Sequence, residues 1–307
     1  MIGRRHDESP WLNSILRISM GCGSLSYGRQ EAQQGARMEL TSDVADFTRR
    51  DLYLLGKTKP VLVTGTTGPA VVVIHEICGF TASLARFCRW MRDAGFRVYA
   101  PILFGEPDAG NAEESSSAMR IVSLCISREF TILRANQSSP VTDWLRALAR
   151  LAHEECGGPG VGAIGMCLTG GFALSMALDP VVLASVLAQP GLPAFSPAAL
   201  DIAHADLARV KERTRHGLAL RGYRFEGDTL CQASRFATLR AAFGTAFTGT
   251  ELPDSAGNPA GMKADGKPPH SVFTRDLIDA AGQPTRAAVD EVIGFFRGAL
   301  QQPRPVA

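Results

Sequence analysis

A cysteine flanked by glycines is the residue of this chain best placed to do chemistry. Cys167 lies between an apolar run that ends at Met166 and a second apolar run that opens with Gly170 and Gly171. This order of strand, nucleophile and helix start is typical of a nucleophile elbow, a sharp turn that lifts the reactive side chain above the edge of a sheet. Gly165 and Gly170 would give the room that the turn needs where the strand and the helix come close together.

The start of a helix also suits the chemistry of a sulfur atom. The positive end of the helix dipole favours a thiolate, and the unpaired N–H groups of the first turn can bind a developing oxyanion. The alternative is that Cys167 is a small buried hydrophobic residue, because a chain with 31 glycines contains such spacings by chance.

A cysteine nucleophile needs a base, and the base needs a carboxylate that orients it. In a fold with such an elbow, the acid and then the histidine follow the nucleophile along the chain, on loops after later strands. Asp228 follows a predicted strand that ends at Phe225, and His270 follows one that ends at Leu252. Of the six histidines, only His270 lies in a loop beyond these late strands. Asp228 could instead be a turn residue, because Gly-Asp pairs are common in turns.

Predicted strands and helices alternate through most of the chain. The apolar run at 70–74 indicates a strand buried on both faces of a parallel sheet, and a helix at 81–94 and a strand at 96–101 complete a βαβ unit. Further strands are predicted at 181–188, 217–225 and 245–252, with an antiparallel edge pair at 52–55 and 60–64, and further helices at 118–135, 140–156, 197–213, 231–243 and 285–300. The pattern predicts the α/β class, with a doubly wound, mostly parallel sheet of seven or eight strands and helices on both faces.

The first 37 residues differ in composition from the rest, being rich in Gly, Ser, Gln and Arg. We expect residues 1–37 to be a disordered arm or an over-extended start, residues 38–301 to be the α/β domain, and residues 302–307 to be a tail. A docked helix that uses the apolar residues between Trp11 and Ile18 is the alternative for the arm.

Composition and charge exclude several classes of protein. With 45% hydrophobic residues and a net charge of +2, the chain can bury one large core and gives no electrostatic reason to expect nucleic acid or an anionic membrane as a partner. It has no apolar run of about 18 residues and no apolar signal segment, which predicts a soluble protein without membrane contact. The partner we expect is a small-molecule substrate, bound by a monomer or a small homo-oligomer.

The seven cysteines are spread along the chain without C-x-x-C spacing, which argues for reduced thiols in the cytoplasm and against a zinc site. Neither a phosphate loop nor a Gly-x-Gly-x-x-Gly motif follows the first strand, and no cluster of His, Asp and Glu with metal-ligand spacing stands out. We therefore expect no cofactor and no metal.

Four stretches of the chain together resemble the dienelactone hydrolase family, which has the α/β-hydrolase fold and a cysteine nucleophile. They are residues 75–79 after an apolar strand, the elbow at 165–171, residues 225–228, and His270 with Ser271. The resemblance covers about residues 38–300. One departure is Thr169, which stands where the family usually has Gly and should crowd the elbow; the long loop at 253–269 is another.

The resemblance implies that Cys167, His270 and Asp228 form a catalytic triad that hydrolyses a small ester or lactone through a thioester. It also implies that Glu76 contacts the cysteine and governs its ionisation. Glu76 would compete with His270 for the thiol proton until the substrate displaces it. From the residues alone, Glu76 could instead be a structural carboxylate paired with an arginine, and His75 could be a plain residue at the end of a strand; we favour a function for Glu76 and a structural role for His75.

The same resemblance places the oxyanion hole at the N–H of Leu168 and at a second N–H near Ile77. Arg275, a few residues after His270, is the nearest candidate to bind a substrate carboxylate, and Arg128 and Arg134 are weaker ones. The alternative function is a non-catalytic or thiol-sensing protein with the same fold, since a fold alone does not fix an activity. A serine-type esterase is disfavoured, because no Gly-x-Ser-x-Gly occupies an elbow context.

Overall fold

The computed structural model describes residues 44–104, 136–193, 196–260 and 267–301. The predicted arm at 1–37, the predicted helix at 118–135 and the predicted tail at 302–307 lie outside these segments, as do Arg128 and Arg134. The domain boundaries at 38 and 301 therefore stay predictions.

One eight-stranded sheet organises the described residues. Its strands are β1 (Thr48–Leu54), β2 (Lys57–Thr64), β3 (Ala70–Ile74), β4 (Arg97–Pro101), β5 (Val161–Met166), β6 (Val182–Ala188), β7 (Ala219–Phe225) and β8 (Phe247–Leu252). Their order across the sheet is β1-β2-β4-β3-β5-β6-β7-β8. Strand β2 pairs antiparallel with β1 and with β4, and every other pair is parallel. The predicted doubly wound, mostly parallel sheet is confirmed.

The direction of winding reverses between β3 and β5. From β3 the chain moves to β4 and towards one edge of the sheet, and from β5 it moves through β6 and β7 to the other edge. In open α/β sheets the crevice for a ligand forms at such a switch point, beyond the carboxyl ends of the strands. The topology therefore predicts a ligand crevice between the segments that follow β3 and β5.

In the described segments, six α-helices cover the two faces of the sheet, which separates the interior into layers. They are α1 (Ala82–Asp93), α2 (Val141–Cys156), α3 (Gly170–Met176), α4 (His204–Arg215), α5 (Ala233–Phe243) and α6 (Pro284–Leu300). Alternate residues of β3 point to opposite layers: Val71 and Val73 belong to the cluster that includes α1 and α6, and Val72 belongs to the cluster that includes α2 and α3. Burial of each such side chain stabilises the fold by roughly 1.5–3 kcal/mol.

Most predicted helices and strands have the predicted place, but the helix expected at 197–213 begins later, at His204. The guanidinium of Arg235 explains the difference. It is buried and donates hydrogen bonds to the carbonyl groups of Ser196 and Ala199, at 3.1 and 3.0 Å. Because these carbonyl groups bind the Arg235 side chain instead of backbone N–H groups one helical turn later, the segment before His204 forms turns. Within the described segments no helix has both the length and the apolar character needed to cross a bilayer.

Candidate active site

Cys167 adopts a strained backbone conformation directly after β5. Its φ is +55°, which side chains rarely adopt and which costs about 1–3 kcal/mol. A Cβ atom on Gly165 would lie 2.1 Å from the carbonyl oxygen of Thr169, and one on Gly170 would lie 2.7 Å from the Cα of Pro190. The first contact lies between the end of β5 and the turn that leads into the helix, and the second lies between the start of the helix and the segment after β6, so only glycine fits at both positions. The segment thus has the backbone geometry expected of a nucleophile elbow, and the side chain of Cys167 is partly exposed.

Thr169 does not crowd the elbow, contrary to the expectation from sequence. Its φ is −93°, which any residue adopts, and its side chain is fully buried. The hydroxyl oxygen accepts a hydrogen bond from the Met166 N–H at 3.0 Å and lies 3.3 and 3.1 Å from the carbonyl oxygens of Ile74 and His75. The threonine is accommodated because its hydroxyl lies between β5 and the end of β3 and forms hydrogen bonds with the backbone of both.

Asp228 and His270 form a buried pair on the loops after β7 and β8. Nδ1 of His270 lies 2.7 Å from Oδ2 of Asp228, and the two residues are 9% and 3% exposed. The other carboxylate oxygen, Oδ1, accepts hydrogen bonds from the N–H groups of Leu230 and Cys231 at 2.9 and 3.0 Å. The carboxylate is therefore fixed by the backbone and in turn fixes the orientation of the imidazole.

The second ring nitrogen of His270, Nε2, is not used by Asp228. Nε2 is buried and makes no hydrogen bond to any described residue. Burial lowers the pKa of His270, but the charges of Asp228 and Cys167 outweigh burial, and the pKa lies well above its ordinary value. The sulfur of Cys167 is therefore a close neighbour of the imidazole, although the pair does not reach the geometry of a hydrogen bond. A histidine with a raised pKa next to a thiol suits a thiolate–imidazolium pair.

Asp276, which sequence reasoning missed, holds the loop that carries His270. It is fully buried, and its Oδ2 accepts hydrogen bonds from the N–H groups of His270 and Ser271, both at 2.8 Å. Arg275 binds the same carboxylate with two nitrogens, Nε at 2.9 Å from Oδ1 and Nη2 at 2.7 Å from Oδ2. The guanidinium predicted to bind a substrate carboxylate thus already faces a carboxylate of the protein. Nothing in the sequence marks Asp276 apart from its nearness to His270.

Glu76 lies at the start of the loop after β3, and its hydrogen bonds reach other side chains than that of Cys167. Oε1 accepts from Nε2 of Gln189 at 2.8 Å and from Oγ1 of Thr274 at 2.9 Å, and Oε2 accepts from Oγ of Ser271 at 3.0 Å. The described residues show no hydrogen bond between Glu76 and Cys167. Glu76 therefore joins the ends of β3 and β6 to the loop of His270.

Gln189 is a second residue that sequence reasoning missed. It follows β6, is fully buried, and has a positive φ of +32°. Its Nε2 donates to Glu76, whereas its Oε1 has no hydrogen-bond partner in the described part of the chain. Gln189 thus combines a strained backbone with a buried amide oxygen that has no partner in the described residues. Both features are more frequent at functional sites than in surface turns.

The two residues predicted to form an oxyanion hole lie at one edge of the sheet. Leu168 is in the short turn Cys167–Thr169 after β5, and Ile77 is in the loop after β3. These two strands are neighbours, with Ile74 opposite Gly165 in the parallel register. Both segments thus lie at the same carboxyl edge, at the switch point of the sheet.

The sheet, the elbow and the later Asp–His pair define the α/β-hydrolase fold. The model of the dienelactone hydrolase family matches residues 53–213, just over half of the 307 residues, and the chain belongs to this family of hydrolases. The matched stretch contains Glu76, the elbow and Cys167, and it ends before Asp228 and His270.

Solved structures similar to this chain carry names from the same family. A putative dienelactone hydrolase from Klebsiella pneumoniae is 16% identical with a TM-score of 0.54, covering 81% of this chain and 97% of its own. A dienelactone hydrolase-like promiscuous phosphotriesterase from metagenomic libraries is 19% identical with a TM-score of 0.55, covering 83% and 99%. A dienelactone hydrolase from Anabaena variabilis is 14% identical with a TM-score of 0.52, covering 83% and 99%. At these identities the likeness shows the fold. A comparison with curated proteins finds no match.

Proposed function

We propose that this chain hydrolyses a small carboxylic ester or lactone, with Cys167 as nucleophile, His270 as acid and base, and Asp228 as the residue that orients His270. The observation that carries the proposal is the buried Asp228–His270 pair, whose free ring nitrogen is next to a cysteine in a strained elbow. Each of the three roles has a physical reason in this arrangement.

Acylation comes first. The thiolate of Cys167 attacks the carbonyl carbon, and the carbonyl oxygen becomes an oxyanion that the N–H groups of Leu168 and Ile77 bind. The imidazolium of His270 gives its Nε2 proton to the departing alkoxide as the bond between carbon and oxygen breaks. The products of this step are the alcohol and a thioester on Cys167. With a lactone, the alcohol stays attached to the acyl group.

Deacylation uses the same groups in reverse. His270, now neutral, takes a proton from a water molecule, and the hydroxide attacks the thioester carbonyl. The tetrahedral intermediate expels the thiolate and leaves the carboxylic acid. The carboxylate of Asp228 stabilises the imidazolium that is present before acylation and after deacylation, as its effect on the pKa of His270 requires.

The gate attributed to Glu76 is a separate proposal. Displacement of Glu76 by a substrate would break its bonds to Ser271 and Thr274, which follow His270 in the same loop, so substrate entry and the position of His270 would be coupled. The test is the pH dependence of alkylation of Cys167. If Glu76 withholds the thiolate, Glu76→Ala shifts the profile, and Glu76→Gln shifts it too, because both remove the charge. An unaltered profile in both variants would contradict the gate.

The proposed substrates are small esters and lactones in general, and not dienelactone alone. Arg275 would have to bind a substrate carboxylate with atoms that Asp276 does not use, so an acidic group on the substrate is not required by the site. Because a similar structure is a promiscuous phosphotriesterase, phosphotriesters belong in a substrate screen beside lactones and short esters. A cytoplasmic location and a monomeric or small homo-oligomeric state stay predictions.

Hydrolysis of p-nitrophenyl acetate before and after treatment with iodoacetamide tests the proposal. We expect activity that iodoacetamide abolishes and that Cys167→Ala lacks. Cys156→Ser is the matched control, because Cys156 is also partly exposed but ends α2 away from the elbow; it should keep both the activity and its sensitivity to iodoacetamide. Absence of activity, or activity indifferent to alkylation, would favour the non-catalytic or thiol-sensing alternative.

A further inference from the structure

The peptide bond between Glu76 and Ile77 is held from the side of its carbonyl group. The Glu76 carbonyl oxygen lies 2.7 Å from Nδ1 of His75 and accepts a hydrogen bond from the N–H of Gly79 at 3.0 Å. This peptide is trans, so the N–H of Ile77 points away from the carbonyl oxygen of Glu76. Fixing the carbonyl group therefore fixes the direction of the N–H that is proposed for the oxyanion hole.

His75 is a rigid donor in this contact. Its ring is fully buried, lies edge-on to Phe104 with the ring centroids 4.5 Å apart, and has Nε2 at 3.0 Å from the N–H of Leu103. Because a backbone N–H can only donate, Nε2 accepts and carries no proton. The neutral ring then has its proton on Nδ1, which donates to the Glu76 carbonyl.

Thr169 joins the two segments that supply the oxyanion hole. Its hydroxyl accepts from the N–H of Met166 on the elbow side and faces the carbonyl oxygens of Ile74 and His75 on the other side, at 3.3 and 3.1 Å. It lies just beyond the last paired residues of β3 and β5. On the elbow side, the Cys167 carbonyl oxygen accepts from the N–H of Gly191 at 2.8 Å, which fixes the N–H of the next residue in the same way.

We propose that His75 and Thr169 are positioning residues of the oxyanion hole. His75 orients the Glu76–Ile77 peptide, and the Thr169 hydroxyl sets the distance between that peptide and the elbow. The inference rests on the proposed function, because it needs Cys167 to attack a carbonyl group. It assigns a role to the threonine that departs from the family pattern.

Two reactions of the same sulfur separate this role from a general effect on the fold. Hydrolysis of an ester forms an oxyanion, so a misplaced N–H lowers kcat and leaves KM nearly unchanged. Alkylation by iodoacetamide is a displacement at a saturated carbon: the sulfur–carbon bond forms as iodide leaves, and no oxyanion appears. A variant that loses hydrolysis but keeps alkylation has therefore lost the oxyanion hole and kept the nucleophile.

Thr169→Val removes the hydroxyl and keeps the shape of the side chain. We expect kcat for p-nitrophenyl acetate to fall about 10- to 100-fold, while the rate of Cys167 alkylation stays within about twofold of wild type. Thr169→Ser, which restores the hydroxyl, should recover most of kcat. The matched control is Thr64→Val: Thr64 is buried and donates to the Asp46 carbonyl at 3.1 Å, but it ends β2 opposite Val98, at the other end of the sheet. A wild-type kcat in Thr169→Val, or an equal loss of hydrolysis and alkylation, would overturn the proposal.

A pair of His75 variants tests the other half independently. The amide nitrogen of Asn can occupy the place of Nδ1, so His75→Asn keeps a donor for the Glu76 carbonyl, whereas the longer amide of His75→Gln reaches only the place of Nε2. We expect His75→Asn to retain at least about tenfold more kcat than His75→Gln. Equal kcat values in the pair would contradict the role of His75. If Cys167→Ala hydrolyses esters like wild type, the proposed function itself fails; if Cys167 is essential and these variants behave like wild type, only the present inference fails.

Discussion

Asp228 is the residue that gives His270 both its orientation and its charge. One oxygen of the carboxylate binds Nδ1, and two backbone N–H groups fix the other oxygen, so the imidazole cannot turn without breaking a short, buried contact. The ring nitrogen that remains is the one directed to the cysteine. Because the negative charge of Asp228 favours imidazolium and outweighs the opposing effect of burial, the pKa of the His270 ring lies well above its usual range.

Asp228→Asn tests this at the scale of a residue. Removal of the negative charge takes away a cause that raises the pKa of His270, so the pKa should fall, and the imidazolium should be lost at a lower pH than in wild type. We expect kcat/KM for p-nitrophenyl acetate to fall about 10²- to 10⁴-fold. Titration of the His270 ring by NMR gives the pKa directly. An unchanged pKa in Asp228→Asn would contradict the account of the pair.

The contacts around the site show what a sequence can and cannot reveal about single residues. Cys167 and His270 were predicted because glycine spacing and chain order mark them. The Thr169 hydroxyl was predicted to crowd the turn, because its partners at Ile74 and His75 are more than 90 residues away in the chain. Asp276 had no signal either, since its hydrogen bonds to the loop of His270 exist only in the folded chain.

At the scale of elements, the strands and helices were predicted well wherever burial alone decides. The strand Ala70–Ile74 was predicted with the bounds it has, because all five residues are apolar and buried on both faces of the sheet. The helix that begins at His204 was predicted seven residues early, because only the folded chain brings Arg235 against the preceding carbonyl groups. The order of the strands, which places the elbow beside the end of β3, also depends on contacts distant in sequence.

The closeness of strand and helix in the elbow makes a prediction for Gly165→Ala. The new Cβ would lie 2.1 Å from a backbone oxygen that cannot move without shifting the helix. We expect the free energy of unfolding to fall by about 3 kcal/mol or more, together with loss of esterase activity. Gly294→Ala is the control: Gly294 is exposed on α6 with open space around its Cα, and the substitution should stabilise the protein by about 0.5–1 kcal/mol. Urea denaturation of both variants measures the difference, and a Gly165→Ala protein as stable as wild type would contradict the elbow geometry.

At the scale of the whole molecule, a buried carboxyl group links stability to pH. Burial raises the pKa of Asp201 from 3.8 to about 8, against the opposing effects of the charge of Arg235 and of the nearby Ser139. Between these two values the folded chain holds a proton that the unfolded chain has released. The folded state binds more protons, so this residue makes stability fall as pH rises from about 4 to about 8.

Asp201→Asn removes this dependence. As pH rises from 5 to 8, wild type should lose stability relative to Asp201→Asn. We expect the difference between their free energies of unfolding to change by up to about 1.4 kcal/mol for each pH unit. Urea denaturation over this range measures the difference. Asp290→Asn, at a side chain that is 62% exposed, is the control for the change from Asp to Asn itself. Parallel curves for Asp201→Asn would show that Asp201 is ionised in the folded protein at these pH values.

Mass spectrometry of the chain after rapid acid quenching during turnover of p-nitrophenyl acetate would show which residue carries the acyl group. The account predicts one acetyl group on the peptide that contains Cys167, absent from Cys167→Ala and longer-lived in Asp228→Asn. An acetyl group on a serine would contradict this account. So would turnover without any acetylated peptide, if the activity also survives the loss of Cys167.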